Sequence, residues 1–185
     1  MASGTHHREA FHRRAARHGD TVQWRFLSLA VLNEGKEIPE QHRTGIAWSI
    51  EAHRVLAAVD ERCGQEAVDR LYTAIGRRIH EQDGKRDATT LADALTEAGL
   101  PAEVLAAAND PSWDKAVRDS HDEVQKRVGT ETGSPVTAID DGPAFFGPVV
   151  VPVPVAEDAD RLFEALRLLS TVPQFSELKR LRNPF

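Results

Sequence analysis

The sequence has 185 residues, of which 41% are hydrophobic and 28% are charged, an ordinary composition for one globular domain or one domain carrying an insertion. Its formal net charge of −6 argues against general nucleic-acid binding, and no apolar run approaches the about 20 residues that cross a bilayer. The only cysteine is Cys63, which excludes an intramolecular disulfide and a Cys-x-x-Cys pair within these residues. Because the His/Arg-rich N-terminus lacks an apolar signal segment, a cytoplasmic location is the default expectation.

The N-terminal part is predicted to contain a helix followed by a strand. Residues His6–His18 form a basic stretch with helix-favouring composition, and its histidine spacing matches no metal site. Thr21–Leu29 alternates apolar and polar side chains and then becomes fully apolar, which predicts a strand. The Asn33-Glu34-Gly35 sequence that follows predicts a loop.

A series of helices follows this strand. Apolar spacing and terminating glycines predict helices at Pro39–Gly64, Gln65–Gln82, Thr89–Ala98, Pro101–Ala108 and Trp113–Val128. We expect Thr89 to cap the third of these helices, and Asp110 or Ser112 to cap the last. Cys63 is predicted to be a small buried residue at a helix C-terminus, where the dipole disfavours a thiolate.

The C-terminal third is predicted to be a β-hairpin followed by a helix. Val136–Ile139 is a β-branched run, Asp140–Pro143 has turn chemistry with Gly142 at positive φ, and Ala144–Phe146 begins the return strand. Glu157–Thr171 then has the spacing of an amphipathic helix. Ser134-Pro135 precedes the first strand, and local statistics alone favour a trans bond there.

This order of elements predicts an α/β sandwich, and seven segments carry a more specific resemblance. They are SLAVLNEG (Ser28–Gly35), PEQHR (Pro39–Arg43), LYTAIGRRIH (Leu71–His80), AGLPAEV (Ala98–Val104), GSPV (Gly133–Val136), AFFGPV (Ala144–Val149) and ELKRLR (Glu177–Arg182). From about Val22 to Arg182 the chain resembles the DsbA-like thioredoxin-fold family, and within it the cytoplasmic mycothiol-dependent nitroreductase branch. The resemblance implies a thioredoxin-like domain formed by residues 1–38 and 129–185, with an α-helical insertion at residues 39–128.

The resemblance also implies where a substrate binds. Pro135 matches the family's cis-proline, which offers backbone groups to a bound thiol, and Asn33 matches a position on the substrate side of the cleft. Ser134 and Phe146 complete this non-redox wall. His42 stands where relatives often have a tyrosine, so that contact is altered here. Mycothiol is the implied co-substrate, and no bound cofactor and no metal are expected.

The sequence departs from the family at its beginning. The family's first strand and Cys-Pro-x-Cys segment, whose helix N-terminus lowers the thiol pKa, have no counterpart in these residues. We therefore expect no catalytic cysteine pair and no dithiol cycling by the chain as given. Either a longer parent protein carries the chemistry, or this is a shortened pseudoenzyme. A sheet that lacks its central strand would leave an exposed edge, which favours a homodimer.

Three functions follow from these observations. The first is a thiol–disulfide oxidoreductase or mycothiol-dependent reductase, as the resemblance implies. The second is a non-catalytic module that binds a thiol or a partner, which the absent Cys-x-x-Cys favours. The third is a glutathione-transferase-like enzyme, which would need an activating residue near the first helix, where Ser3 and Thr5 are poor candidates.

Overall fold

The computed structural model describes residues 20–130, 132–150, 154–179 and 181, and in these residues the protein is a mostly helical α/β structure with one small sheet. The predicted His6–His18 helix and the residues Ser3 and Thr5 lie outside the described residues. The elements in chain order are α1 (Leu29–Leu32), α2 (Glu40–Cys63), α3 (Gln65–Glu81), α4 (Ala88–Glu97), a 3₁₀ helix (Ala102–Asn109), a shorter 3₁₀ helix (Pro111–Trp113), α5 (Asp114–Val128), β1 (Val136–Ala138), β2 (Ala144–Phe146) and α6 (Ala156–Ser170).

The chain divides into two compact units. One unit, called here the helical unit, comprises Gln23–Glu123. The other, called here the hairpin unit, comprises the described residues from Val124 onward together with those that precede Gln23. No helix in the described ranges is both long and apolar enough to cross a membrane.

The two longest helices of the helical unit follow each other with a single residue between them. Gly64 joins α2 to α3 and has a positive φ of 80°, a conformation that favours glycine over any residue with a Cβ. Its N–H donates to the carbonyl oxygens of Asp60 (3.0 Å) and Val59 (3.2 Å), which closes the end of α2. The sequence prediction of these two helices is confirmed, because apolar residues at 3–4 spacing form their buried faces.

The core of the helical unit lies where α2, α3, α4 and the longer 3₁₀ helix pack together. Its largest side chains with no more than 1% exposure are Val55, Val59, Leu71, Leu91, Leu95 and Val104. Partly buried aromatic residues, Trp24, Trp48 and Trp113, pack against this cluster. Burial of these apolar surfaces is the main source of the unit's stability.

The predicted strand at Thr21–Leu29 is wrong. Residues 20–28 have no regular secondary structure, and Leu29 begins α1. A strand needs a neighbour with which to form a ladder, and the only sheet in the described residues contains β1 and β2 alone. The N–H groups are bonded to side chains instead: that of Phe26 donates to Ser120 Oγ (2.7 Å), and that of Trp24 donates to Gln65 Oε1.

The predicted burial of Cys63 is also wrong, since Cys63 is an exposed residue at the end of α2. The buried face of α2 ends at Val59, and Glu61 and Arg62 in the last turn are exposed as well. The final turn therefore extends past the core, although Cys63 lies four residues beyond Val59 and continues the same helical face.

The N-cap of α4 is Asp87 and not Thr89. The Asp87 carboxylate accepts a hydrogen bond from the N–H of Thr90 at 2.9 Å, whereas Thr89 lies exposed inside the first turn. The preceding residue in the loop, Arg86, is also exposed, so nothing in the apolar pattern alone distinguishes the two possible starts.

We expect Asp87→Ala to lower the free energy of unfolding of the helical unit by about 1 kcal/mol, because an N–H at the start of α4 loses its acceptor. Chemical denaturation followed by tryptophan fluorescence measures this change. The matched control is Thr89→Ala, which should change stability by less than about 0.5 kcal/mol, since the hydroxyl caps nothing. An equal loss in both variants would contradict the assignment of the cap.

Candidate functional site

The candidate site lies at the open end of the hairpin, where β1 begins and β2 ends. The two strands pair antiparallel, with Val136 opposite Phe146 and Ala138 opposite Ala144. The predicted hairpin is therefore confirmed, although β1 stops at Ala138, one residue earlier than predicted. The sequence-predicted residues Ser134 and Pro135 immediately precede β1 and so lie beside Phe146 across the hairpin.

The peptide bond between Ser134 and Pro135 is cis, as the family resemblance implied. The Pro135 carbonyl oxygen accepts a hydrogen bond from the N–H of Gly147 at 2.9 Å. Ser134 is exposed and Pro135 is buried, while the Phe146 side chain is 49% exposed. The open end therefore presents a hydroxyl and an aromatic surface to solvent, next to a proline whose carbonyl is already bonded.

A second cis bond, Gly147–Pro148, lies on the return side of the same hairpin end, and the sequence analysis missed it. Gly147 has a φ of 106°, a conformation that needs glycine, and its carbonyl oxygen accepts a hydrogen bond from Thr137 Oγ1 at 2.8 Å. The available signal was the pair of X-Pro sequences that flank the hairpin. The family resemblance implied a cis bond only at the first of them, Ser134–Pro135.

The turn at the other end of the hairpin differs from its prediction. Asp140, with a φ of 51°, adopts the positive φ that Gly142 was expected to be free to take. Glycine is still required at position 142, because a Cβ there would lie 2.9 Å from the carbonyl oxygen of Ile139. Arg127 Nη2 at the end of α5 donates to the Gly142 carbonyl at 2.6 Å and anchors the turn.

The segment that leads into β1 is fixed by a buried amide. Gln125 is 6% exposed, and its Nε2 donates to the carbonyl oxygen of Thr132 at 2.7 Å. Thr132 Oγ1 in turn donates to the carbonyl oxygen of Val128 at 3.2 Å. These bonds tie the approach to Ser134 and Pro135 to the last turn of α5, so the open end is built on a helix rather than on a free loop.

Asn33, the remaining predicted site residue, lies in the helical unit, whereas Ser134, Pro135 and Phe146 lie in the hairpin unit. Asn33 is half-buried and forms the C-cap of α1. Its backbone N–H and its Nδ2 both donate to the carbonyl oxygen of Leu29, at 3.2 and 2.7 Å. The amide is thus held in one orientation by α1, which leaves Oδ1 as the acceptor available to a ligand.

Next to Asn33, the carboxylate of Glu34 forms a bidentate ion pair with the guanidinium of Arg118 on α5. This hydrogen bonding lowers the pKa of Glu34 below its ordinary value, and burial opposes the shift. Because both side chains are exposed, water screens the pair, and it contributes little to stability.

Two histidines of the helical unit were missed by the sequence analysis. His121 on α5 is 4% exposed, and its Nδ1 has no hydrogen-bond partner in the described part of the chain. His53 on α2 is half-buried, contacts Phe26 edge-on with ring centroids 6.3 Å apart, and bonds through Nδ1 to the carbonyl oxygen of Ser49 (2.7 Å). Burial lowers the pKa of both imidazoles. His42, in contrast, is exposed in the first turn of α2.

The described residues contain no cluster of three or more histidine, cysteine, aspartate or glutamate side chains arranged to hold a metal ion. Cys63 is the only cysteine of the sequence and lies in the helical unit. Ser134 and Pro135 belong to the hairpin unit, whose described residues include no cysteine.

Comparison with known proteins assigns the chain to a family. The model of the family described as Rv2466c-like, mycothiol-dependent nitroreductase Rv2466c, matches residues 15–180. A protein of Mycobacterium tuberculosis, Rv2286c, whose printed name describes it as uncharacterized, is 33% identical over 170 residues, which are 90% of this chain and 71% of the relative. The chain therefore belongs to the Rv2466c-like family of mycothiol-dependent nitroreductases.

Proposed function

We propose that this protein binds mycothiol, or a disulfide of mycothiol, in a thiol-dependent redox system, and that the 185 residues do not themselves cycle a dithiol. Family membership supports the binding of mycothiol, because the family description names mycothiol. The single cysteine supports the absence of dithiol cycling, because reversible dithiol chemistry within one chain needs two thiols. Electrons would then pass through a thiol supplied by another molecule.

In this proposal the fold is thioredoxin-like and of the DsbA type, with residues 39–128 as an α-helical insertion and residues 1–38 and 129–185 as the thioredoxin-like part. The mostly helical structure with a two-stranded sheet is compatible with that fold. The hairpin followed by α6 supports it, since a β-hairpin and a closing helix form the C-terminal half of a thioredoxin-type unit. The homodimer predicted from an exposed sheet edge stays a prediction.

The binding wall proposed for the thiol consists of Asn33, Ser134, Pro135 and Phe146. Ser134 offers an exposed hydroxyl, and Phe146 offers about half of its ring surface for contact with the ligand. Asn33 offers Oδ1, which its bond to Leu29 leaves free to accept from a ligand hydroxyl or amide. Polar groups of this kind suit the sugar and amide portions of a low-molecular-weight thiol.

A second candidate function is a non-catalytic thioredoxin-fold module that binds a thiol or a partner. The observation that favours it is the single cysteine of the sequence, which excludes a Cys-x-x-Cys pair within these residues. No observation favours a glutathione-transferase-like enzyme, because the residues considered for thiol activation, Ser3 and Thr5, lie outside the described residues.

The test is isothermal titration of the full chain with oxidised mycothiol. We expect binding that weakens about three- to tenfold, or about 1 kcal/mol, in Phe146→Ala and in Asn33→Ala, because each change removes a ligand contact. The matched control is Ser176→Val, at an exposed position outside the proposed wall, which should bind like the parent. Equal affinity in all variants, or no binding, would contradict the proposed wall.

A turnover assay tests the redox part of the proposal. Reduction of a nitro substrate with mycothiol as electron donor should be absent for the purified chain and unchanged by Cys63→Ser. Turnover that survives Cys63→Ser without any added thiol protein would overturn the proposal that these residues lack dithiol chemistry. A signal that is lost in Cys63→Ser would instead assign a one-thiol reaction to Cys63.

A further inference from the structure

A groove runs along the helical unit between the C-terminal half of α2 and the N-terminal half of α5. Two adjoining cavities of about 400 and 360 Å³ form it, and Glu61, Ala116 and Asp119 line both of them. Both cavities are open to solvent along the surface of the unit. We call this feature the α2–α5 groove, and its lining residues include neither Asn33 nor any residue of the hairpin.

Both helices present regularly spaced residues to the groove. Ala57, Asp60 and Glu61 occupy positions i, i+3 and i+4 on α2, and Ala116 and Asp119 lie one turn apart on α5. Ala57 is 4% exposed and gives the groove an apolar floor, whereas Ala116 is exposed and lies with the carboxylates at the rim.

An aromatic side chain lines the groove at each of its two cavities. Trp24 and Phe26 belong to one cavity and Trp113 belongs to the other. The guanidinium of Arg62 lies 5.5 Å from the centre of the Trp113 ring, so a cation already occupies an aromatic surface at this edge. The groove therefore combines an apolar floor and aromatic walls with a charged rim, which is the composition of a peptide-binding surface.

The rim is acidic. Four carboxylates line the two cavities, those of Asp60, Glu61, Asp119 and Glu123, against only two cationic side chains, Arg25 and Lys115. Arg25 Nε donates to Glu123 at 3.0 Å, and Lys115 Nζ donates to Asp119 at 2.5 Å, so each cation is matched to one carboxylate.

The two remaining carboxylates differ from each other. Asp60 Oδ1 accepts a neutral hydrogen bond from Gln65 Nε2 at 2.8 Å, which leaves its charge uncompensated. Glu61 is exposed, and no bond to its carboxylate occurs among the residues that the structure describes. The residues that line the two cavities thus carry two more negative than positive charges, and Arg62, over the Trp113 ring, adds one cation at the edge.

We propose that the α2–α5 groove docks a short basic segment of a partner protein, with apolar side chains on the floor at Ala57 and arginine or lysine side chains at the rim. Charge complementarity selects this occupant, because the excess negative charge repels nucleic acid and anionic membranes and attracts cationic peptides. A lone metal ion fits less well, since the described residues contain no group of three or more carboxylate, histidine or cysteine side chains arranged to hold one. The proposal is independent of thiol binding, because no residue of the groove belongs to the proposed thiol wall.

Tryptophan fluorescence of the full chain reports on this groove. Of the three tryptophans, Trp24 and Trp113 line it, whereas Trp48 packs in the core and donates through Nε1 to the carbonyl oxygen of Asp87. The probe is a short blocked peptide of repeated Arg-Leu-Ala triplets. We expect a saturable fluorescence change with a dissociation constant of about 10–100 µM at low salt, weakened about fivefold or more at high salt by charge screening.

Charge reversal at the rim distinguishes the groove from nonspecific attraction. Glu61→Lys and Asp119→Lys should each weaken peptide binding about fivefold or more, and Glu61→Gln should give an intermediate loss. The matched control is Glu103→Lys, an equal charge change at an exposed position outside the groove, which should bind like the parent. Circular dichroism confirms that the variants are folded.

Three outcomes would overturn the proposal. The first is no saturable binding of the peptide to the parent chain. The second is an equal effect of Glu61→Lys and Glu103→Lys, which would show attraction by net charge alone. The third is self-association of the parent in sedimentation that Glu61→Lys abolishes, since the groove would then be occupied by a second copy of this chain.

Discussion

Replacing Leu71 with alanine is expected to lower the free energy of unfolding of the helical unit by about 2–5 kcal/mol. Leu71 has no exposed surface and lies in α3 at the centre of the apolar cluster. Truncation removes buried methyl groups and leaves a cavity, because the helices around it can relax only in part. Denaturant titration followed by tryptophan fluorescence measures the loss, since Trp24, Trp48 and Trp113 all belong to the helical unit.

The matched control for this prediction is Leu71→Met, which keeps the volume and should cost less than about 1.5 kcal/mol. A loss from Leu71→Met as large as that from Leu71→Ala would mean that shape, and not cavity formation, governs this position. A loss from Leu71→Ala below about 1 kcal/mol would contradict the central place of Leu71 in the core.

The helices were the most predictable part of the fold. The predicted helix Gln65–Gln82 agrees with α3, which spans Gln65–Glu81. The agreement is close because a glycine precedes the helix and its apolar residues repeat at 3–4 spacing. The same pattern at Pro101–Ala108 gave the right place but not the geometry, since Ala102–Asn109 is a 3₁₀ helix. Apolar spacing over two turns does not distinguish the two helix types.

Features that depend on distant partners were not predictable. The alternating pattern of Thr21–Leu29 forms a strand only where a second strand lies beside it. In this protein the side chains of Gln65 and Ser120 accept the hydrogen bonds of the Trp24 and Phe26 N–H groups instead. The burial of His121 was equally invisible, because most residues of α5 are charged or polar and the sequence does not show which of them face the core. A periodic pattern predicts one element from its own residues, whereas these features depend on contacts between two elements.

The candidate site was predictable in part. The hairpin and the special position of Ser134-Pro135 followed from turn residues and from the family resemblance, and the cis bond agrees with the latter. The role of Ser134, Pro135, Asn33 and Phe146 in binding stays a prediction. The buried Gln125 amide that fixes the approach to the hairpin had no sequence signal, since glutamine on a charged helix is ordinarily exposed.

The helical unit is expected to lose stability as the pH falls below about 6.5, the ordinary pKa of histidine. Burial is the largest cause that lowers the pKa of His53, and the charge of His121 lowers it further, while its bond to Ser49 opposes the shift. Burial likewise lowers the pKa of His121; Arg118 adds to this effect, and Asp122 and Glu34 oppose it.

The sign of this pH dependence follows from proton uptake. Below the unfolded pKa of about 6.5, the unfolded chain binds protons that the folded chain excludes, so the free energy of unfolding falls with decreasing pH. The fall ends when the pH drops below the folded values, and each unit of difference between the two pKa values is worth about 1.4 kcal/mol. The lowered pKa of Glu34 and that of Asp114, which Arg54 lowers by hydrogen bonding, act only at more acidic pH, below about 5.

Denaturant titrations between about pH 7.5 and pH 5.5 test this expectation above the range in which carboxylates titrate. In His121→Asn the decrease in stability across this range should be clearly smaller than in the parent, whatever the stability of the variant at neutral pH, because one excluded proton is gone. In His42→Asn, at an exposed histidine, the decrease should match that of the parent. A parent whose stability stays constant or rises over this range would show that the imidazoles of His53 and His121 accept protons in the folded state, and their burial would then carry no electrostatic cost.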